Sequence, residues 1–148
     1  MKEEKNPLDR VYVVVDTNVL VSALFSVDGL SNPAIVIESI LDGLIIPIYN
    51  DGIIEEYKDV LSRKKFNFPT NAINGIISIF INFGIHVDRI PISHDQFIDE
   101  DDIVFYEVKM NIEDSYLVTG NIRHFPKDPS VVTPKQMVEI LMQKGLLI

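Results

Sequence analysis

The residues best placed to do chemistry are carboxylates and amides standing directly after apolar runs. Asp16-Thr17-Asn18 follows residues 11–15, Asn121 follows Thr119-Gly120 after a second apolar run, and Asp102 closes the acidic stretch that starts at Asp99. In open parallel sheets, ligands bind beyond the carboxyl ends of strands, so these are the positions to inspect. Asp16, Glu56 and Asp102 form the candidate metal site, because hard divalent cations take oxygen ligands. Thr17 and Asn18 can orient a ligating carboxylate by hydrogen bonding to it. Each acid also has an ordinary structural reading, since Asp is a common helix N-cap and Glu on an amphipathic helix usually faces water. The residue types alone leave both readings open.

The elements that must position these groups are legible from hydrophobic pattern. Val11-Tyr12-Val13-Val14-Val15 lacks polar alternation, as expected of a strand buried on both faces of a parallel sheet. Helical spacing of Val19, Leu20, Ala23 and Leu24 predicts a strand-to-helix turn at Asp16-Thr17-Asn18. A second helix is expected from Asn32-Pro33, as cap and first-turn proline, to the residue before Gly43, followed by a strand over 45–49. Asn50 or Asp51 can cap a third helix running to Leu61. Thr70 can cap a fourth over 72–82 that ends before Gly84, with a short strand over 85–87. The acidic segment opens a helix whose Val104, Phe105 and Val108 face the core. Residues 115–119 read as another buried strand, and Val131-Val132-Thr133-Pro134 as a strand leading into a helix over 135–141. Alternating strands and helices imply an α/β fold, a three-layer α/β/α sandwich around a mostly parallel sheet.

With 148 residues, 47% of them hydrophobic, the chain is long enough for one domain with its own core. Residues 1–9 are expected to be a disordered or extended leader, and 10–148 the domain. The chain has no cysteine, which excludes disulfides, thiolate metal sites and a cysteine nucleophile and suits a reducing cytoplasm. The run 11–15 is too short for a signal segment or a membrane span. A net charge of −9 argues against a generic nucleic-acid coat, which relies on Lys and Arg. Clustered metal-binding carboxylates contribute negative charge that bound cations would offset. Arg63, Lys64 and Lys65 form the one basic triplet, either an RNA contact or a solvated helix end favoured by the helix dipole.

Four segments in order carry a family resemblance: VVVDTNVLVSAL (13–24), IIEEYKDVL (53–61), DEDDIVF (99–105) and YLVTGNIRHFP (116–126). Together they resemble PIN domains over roughly residues 10–142, closest to the branch described as toxins of toxin–antitoxin pairs. The resemblance implies a PIN-like fold and a Mg²⁺- or Mn²⁺-dependent endoribonuclease acting on single-stranded RNA, with an antitoxin protein as partner and a homodimeric assembly. It places the catalytic and metal-binding acids on Asp16, Glu56 and Asp102. Asp101 competes with Asp102, which is preferred because the family's acid tends to lie three residues before a buried position, here Phe105. A fourth acid often follows the later strand, where this chain has Asn121; Asp114 is the substitute, or the fourth ligand is missing. Thr17, Asn18, Thr119 and Asn121 are supporting residues, and His124 a phosphate contact.

Rival readings are weaker. No glycine-rich phosphate loop is present, a phosphotransferase of the haloacid-dehalogenase type needs an acid where Asn18 stands, and His86, His94 and His124 lack HExxH-type spacing. The alternative of a different class is a catalytically weak PIN-like module that binds RNA or protein, with Asn121 marking a degraded site.

Overall fold

The computed structural model describes residues 10–88 and 102–148. Its core is a five-stranded sheet of β1 (Val11–Val15), β2 (Ile45–Tyr49), β3 (Ile85–His86), β4 (Tyr116–Val118) and β5 (Val131–Val132), in the order β3-β2-β1-β4-β5. Every pairing is parallel. Val13, Val14 and Val15 are all fully buried. Since neighbouring side chains on a strand point to opposite faces, helices must cover both faces of β1, as the unalternating apolar run requires. The result is the α/β sandwich expected from the sequence.

The helices are α1 (Thr17–Phe25), α2 (Asn32–Leu41), α3 (Asp51–Leu61), α4 (Thr70–Phe83), α5 (Ile103–Met110) and α6 (Pro134–Gln143). Expected and observed elements agree to within a few residues at their ends, but two caps differ. Ser31, not Asn32, caps α2, its hydroxyl accepting the Ala34 N–H at 3.2 Å. Pro69 occupies the cap position of α4, and Thr70 lies inside the helix; the φ of −60° at Pro69 would also suit a helix, and its ψ of 143° makes it the extended residue before the first turn. At the other end of α4, Gly84 is required by close approach. A Cβ there would lie 2.4 Å from the Phe80 carbonyl oxygen and 2.6 Å from that of Pro47.

The chain builds β1, β2 and β3 outward in one direction, then returns past β1 to add β4 and β5. The order therefore reverses at β1, between β2 and β4, which makes the carboxyl ends of β1 and β4 the switch point where α/β folds form their crevice. Beneath it, Tyr57 of α3 packs its ring 5.1 Å from Phe80 of α4 and 6.1 Å from Phe105 of α5. Among the described residues, no helix is long and apolar enough to cross a membrane.

Candidate functional site

Register alone brings the ends of β1 and β4 together. Val15 pairs with Val118, and the Asp16 N–H donates to the Val118 carbonyl at 2.9 Å. Asp16 and Thr119 thus leave the sheet side by side. The Asp16 carboxylate is 5% exposed and is held on both oxygens. Oδ1 accepts the Thr17 N–H at 2.8 Å, so Asp16 caps α1. Oδ2 accepts the Thr119 hydroxyl at 2.8 Å and the Asn18 amide at 3.0 Å. The side chain therefore caps α1 while its carboxylate is fixed at the edge of the sheet.

The turn after β4 is tied to the turn after β1. Asn18 Oδ1 accepts the Gly120 N–H at 2.9 Å, and Thr119 Oγ1 accepts the Asn121 N–H at 2.9 Å. A Cβ on Gly120 would come within 3.3 Å of Asn18 Oδ1, so glycine lets the two turns close on each other. Asp16, Thr17, Asn18, Thr119 and Asn121 form one hydrogen-bonded unit across residues distant in sequence. Asn121, where the family often has an acid, joins this unit through its backbone.

Asp102 reaches the same neighbourhood from α5. It occupies the cap position of that helix but makes no capping hydrogen bond. Its Oδ2 instead stands 3.2 Å from Nδ1 of His124, which belongs to the 3₁₀ turn Ile122–His124 after β4. The field of His124 also reaches Asp16, so the imidazole lies between the influence of the two acids. Beside it opens a cavity of about 310 Å³ lined by Gly120, Asn121, Ile122, Arg123, His124 and Thr133.

Burial lifts the Asp16 carboxyl above its ordinary pKa, outweighing the hydrogen bonds from Thr119, Thr17 and Asn18 and the pull of His124. Tyr57 lies underneath, and its hydroxyl donates to the Val15 carbonyl immediately before Asp16. Its phenol is pushed well up by burial, and further by the negative charge of Asp16. A carboxylate whose charge is disfavoured by burial is a group that a cation would stabilise. The Thr17 hydroxyl beside it is buried without a hydrogen-bond partner, a polar atom with unused capacity next to that carboxylate. Carboxylate, hydroxyl and amide oxygens are the donors that Mg²⁺ and Mn²⁺ take, so the chemistry of the donor set fits such an ion.

Glu56 is half-buried on α3, next to Tyr57. Among the described residues, no three His, Asp or Glu side chains lie close enough to grip one ion together. Asp101, with Asp99, Glu100 and His94, lies outside the described residues. Asp114 has φ of 62° in the turn before β4, where it shares a cavity with Arg10, Val11 and Lys144. That is the amino edge of the sheet, the full length of β1 from Asp16, so Asp114 does not stand in for a fourth acid at this site. Arg63, Lys64 and Lys65 lie beyond the far end of α3. Tyr57 is a site residue that the sequence did not disclose; a lone Tyr at helical spacing reads as core, and it is core as well.

A PIN domain family model matches residues 12–123. No curated protein and no solved structure matches the chain. The matched span runs from the second residue of β1 to Arg123, one residue short of His124, and holds every residue of the hydrogen-bonded unit around Asp16, so this chain belongs to the PIN domain family.

Proposed function

We propose that the protein is a Mg²⁺- or Mn²⁺-dependent endoribonuclease that hydrolyses phosphodiester bonds of single-stranded RNA, acting in the cytoplasm as the toxin of a toxin–antitoxin pair. PIN domains are typically metal-dependent nucleases. The observation that carries the reading for this chain is the buried Asp16 carboxylate, fixed by Thr17, Asn18 and Thr119 at the switch point of a parallel sheet. Asp16 and Asp102 are the residues that would hold the ion, with water and substrate phosphate oxygens completing its shell. Such an ion supplies Lewis-acid polarisation of a phosphoryl oxygen and acidifies water for attack. The chain's own contribution is positional: Thr119 and Asn18 fix the rotamer of Asp16, and Tyr57 fixes the backbone that carries it. His124 stands 3.2 Å from Asp102 and offers its imidazole to a substrate phosphate.

Cleavage of single-stranded RNA stimulated by Mg²⁺ or Mn²⁺, and nearly abolished by Asp16→Asn, is the expected result. Divalent-dependent cleavage that survives Asp16→Asn would overturn the assignment. A second reading, a catalytically weak module that binds RNA or a protein partner, is favoured by Asn121 standing where the family often has an acid. It predicts RNA binding without turnover at any divalent concentration.

A further inference from the structure

We infer that the far end of α1, together with the connection between α3 and α4, forms a stacking platform for the bases of single-stranded RNA, distinct from the Asp16 site. Phe25, the last residue of α1, is 55% exposed. Its ring centroid lies 4.8 Å from that of Phe68 and 6.0 Å from that of Phe66. Phe66 and Phe68 are stacked on each other at 5.5 Å with their planes 14° apart. Phe68 packs against the core and anchors the group. The basic triplet borders it: Lys64 and Lys65 are exposed, Lys65 Nζ stands 5.0 Å from the Phe66 ring centroid, and Arg63 meets Asp59 at 3.4 Å in an exposed pair.

The plain alternative is a small satellite core that closes two loops. Such a core would bury Phe25 and would not gather the one basic triplet of a chain with a net charge of −9 around it. Aromatic faces beside lysines are what non-sequence-specific single-strand binding uses, since every base has a face to stack and every nucleotide a phosphate to neutralise. Phe25 and Thr17 are the two ends of one helix, so the platform lies ~12 Å from the Asp16 turn at ~1.5 Å per residue. A long strand held at Asp16 can reach it, and a very short one cannot. The inference rests on the reading of this chain as an RNA-cleaving enzyme and adds to it where the rest of the strand lies.

The test compares labelled uridine dinucleotide, too short to span both places, with oligouridine of twelve nucleotides, with binding measured by fluorescence anisotropy in EDTA and cleavage in Mn²⁺. Phe25→Ala should weaken binding of the twelve-mer about tenfold, within the range for loss of one stacked base. Binding and cleavage of the dinucleotide should not change, and Phe25→Tyr should retain the affinity. Lys64→Ala/Lys65→Ala should flatten the dependence of log K on log salt for the twelve-mer by about 1.4, at ~0.7 per phosphate contact on single strands. Wild-type protein that cleaves both oligonucleotides, with unchanged twelve-mer affinity in Phe25→Ala, overturns the platform and leaves the nuclease reading standing. Tight twelve-mer binding lost in Phe25→Ala, without cleavage by wild type, supports the platform and removes the nuclease reading. Loss of self-association in Phe25→Ala with RNA binding intact would make the patch a contact between copies and overturns the inference.

Discussion

Asp16 is under two opposing demands, and its behaviour on substitution follows from them. Its folded-state carboxyl lies above the ordinary value of ~3.9. Between those two values the folded chain binds more protons than the unfolded one, so this group's contribution to stability falls as pH rises through the window. At neutral pH the buried charge is a liability unless a cation offsets it. Asp16→Asn should therefore leave the metal-free protein as stable as wild type or more so in thermal melts, since the amide oxygen can still cap α1, the Thr119 hydroxyl can turn to accept, and the Asn18 amide, which loses its acceptor on Asp16, keeps the Thr119 oxygen at 3.4 Å. Asp16→Ala, which removes the cap, should cost ~0.5–2 kcal/mol. A marked loss of stability in Asp16→Asn would show that its role is structural. Thr119→Val tests the support separately: it keeps the shape of a fully buried side chain and removes the donor to Oδ2. Losses of about 10–100-fold in metal affinity or turnover are expected for such supporting groups, measured by Mn²⁺ titration and initial rates. Asp16, Thr17, Asn18 and Thr119 were all legible in the sequence, because strand-end polar residues announce themselves. Tyr57 and the pairing of His124 with Asp102 were not, since both depend on how α3 and the turn after β4 pack in three dimensions.

At the scale of elements, the placement of Asp102 depends on how α5 is moored. The helix is short, and its last turns are fastened to the turn before β5 through Asp128. Lys109, almost fully buried, lies 3.7 Å from Asp128 Oδ2, the Tyr106 hydroxyl donates to the same oxygen at 3.1 Å, and Ser130 donates to Oδ1 through its N–H at 2.9 Å and its hydroxyl at 2.6 Å. Partial burial alone would raise the Asp128 carboxyl, yet the Ser130 hydrogen bonds, Lys109 and Tyr106 together bring it below its ordinary value. A carboxyl lowered in the folded state contributes stability that is present above its unfolded value and lost as pH falls through the folded one. Acid unfolding of wild type should therefore gain steepness below pH ~4, and Asp128→Asn should flatten that limb while destabilising the protein at pH 7. Chemical denaturation at pH 3, 4 and 7 separates the two; equal pH profiles would show that Asp128 does not hold α5. The element pattern was largely readable because β-branched runs and helical spacing dominate it. Caps were less so, as at Ser31-Asn32 and Pro69-Thr70, where neighbouring residues of similar preference compete and the backbone trajectory decides.

At the scale of the whole molecule, Leu41, Ile81 and Phe83 on α2 and α4 keep 44%, 46% and 51% of their surface exposed, more apolar area than these helices need for the sheet they cover. A homodimer is the expected assembly, and sedimentation across micromolar concentrations checks it; a monomer throughout would count against it. Mn²⁺ should raise the melting temperature of wild type by mass action, with a smaller shift in Asp16→Asn and Asp102→Asn. Sheet order decides one more property. Asp16 is carried by the first strand and its partner Thr119 by the fourth, a separation of 103 residues, and the strands between them are laid down on the other side of β1. During synthesis, at roughly 5–20 residues per second, a growing chain can complete β1, β2 and β3 with the site still open on one side. The Asp16 unit closes only once β4 and its following turn have left the ribosome and docked. On the proposed assignment a nascent chain of this protein is inert by topology, and ribosome-stalled fragments ending before β4 should neither bind Mn²⁺ at Asp16 nor cut RNA, whatever their state of compaction.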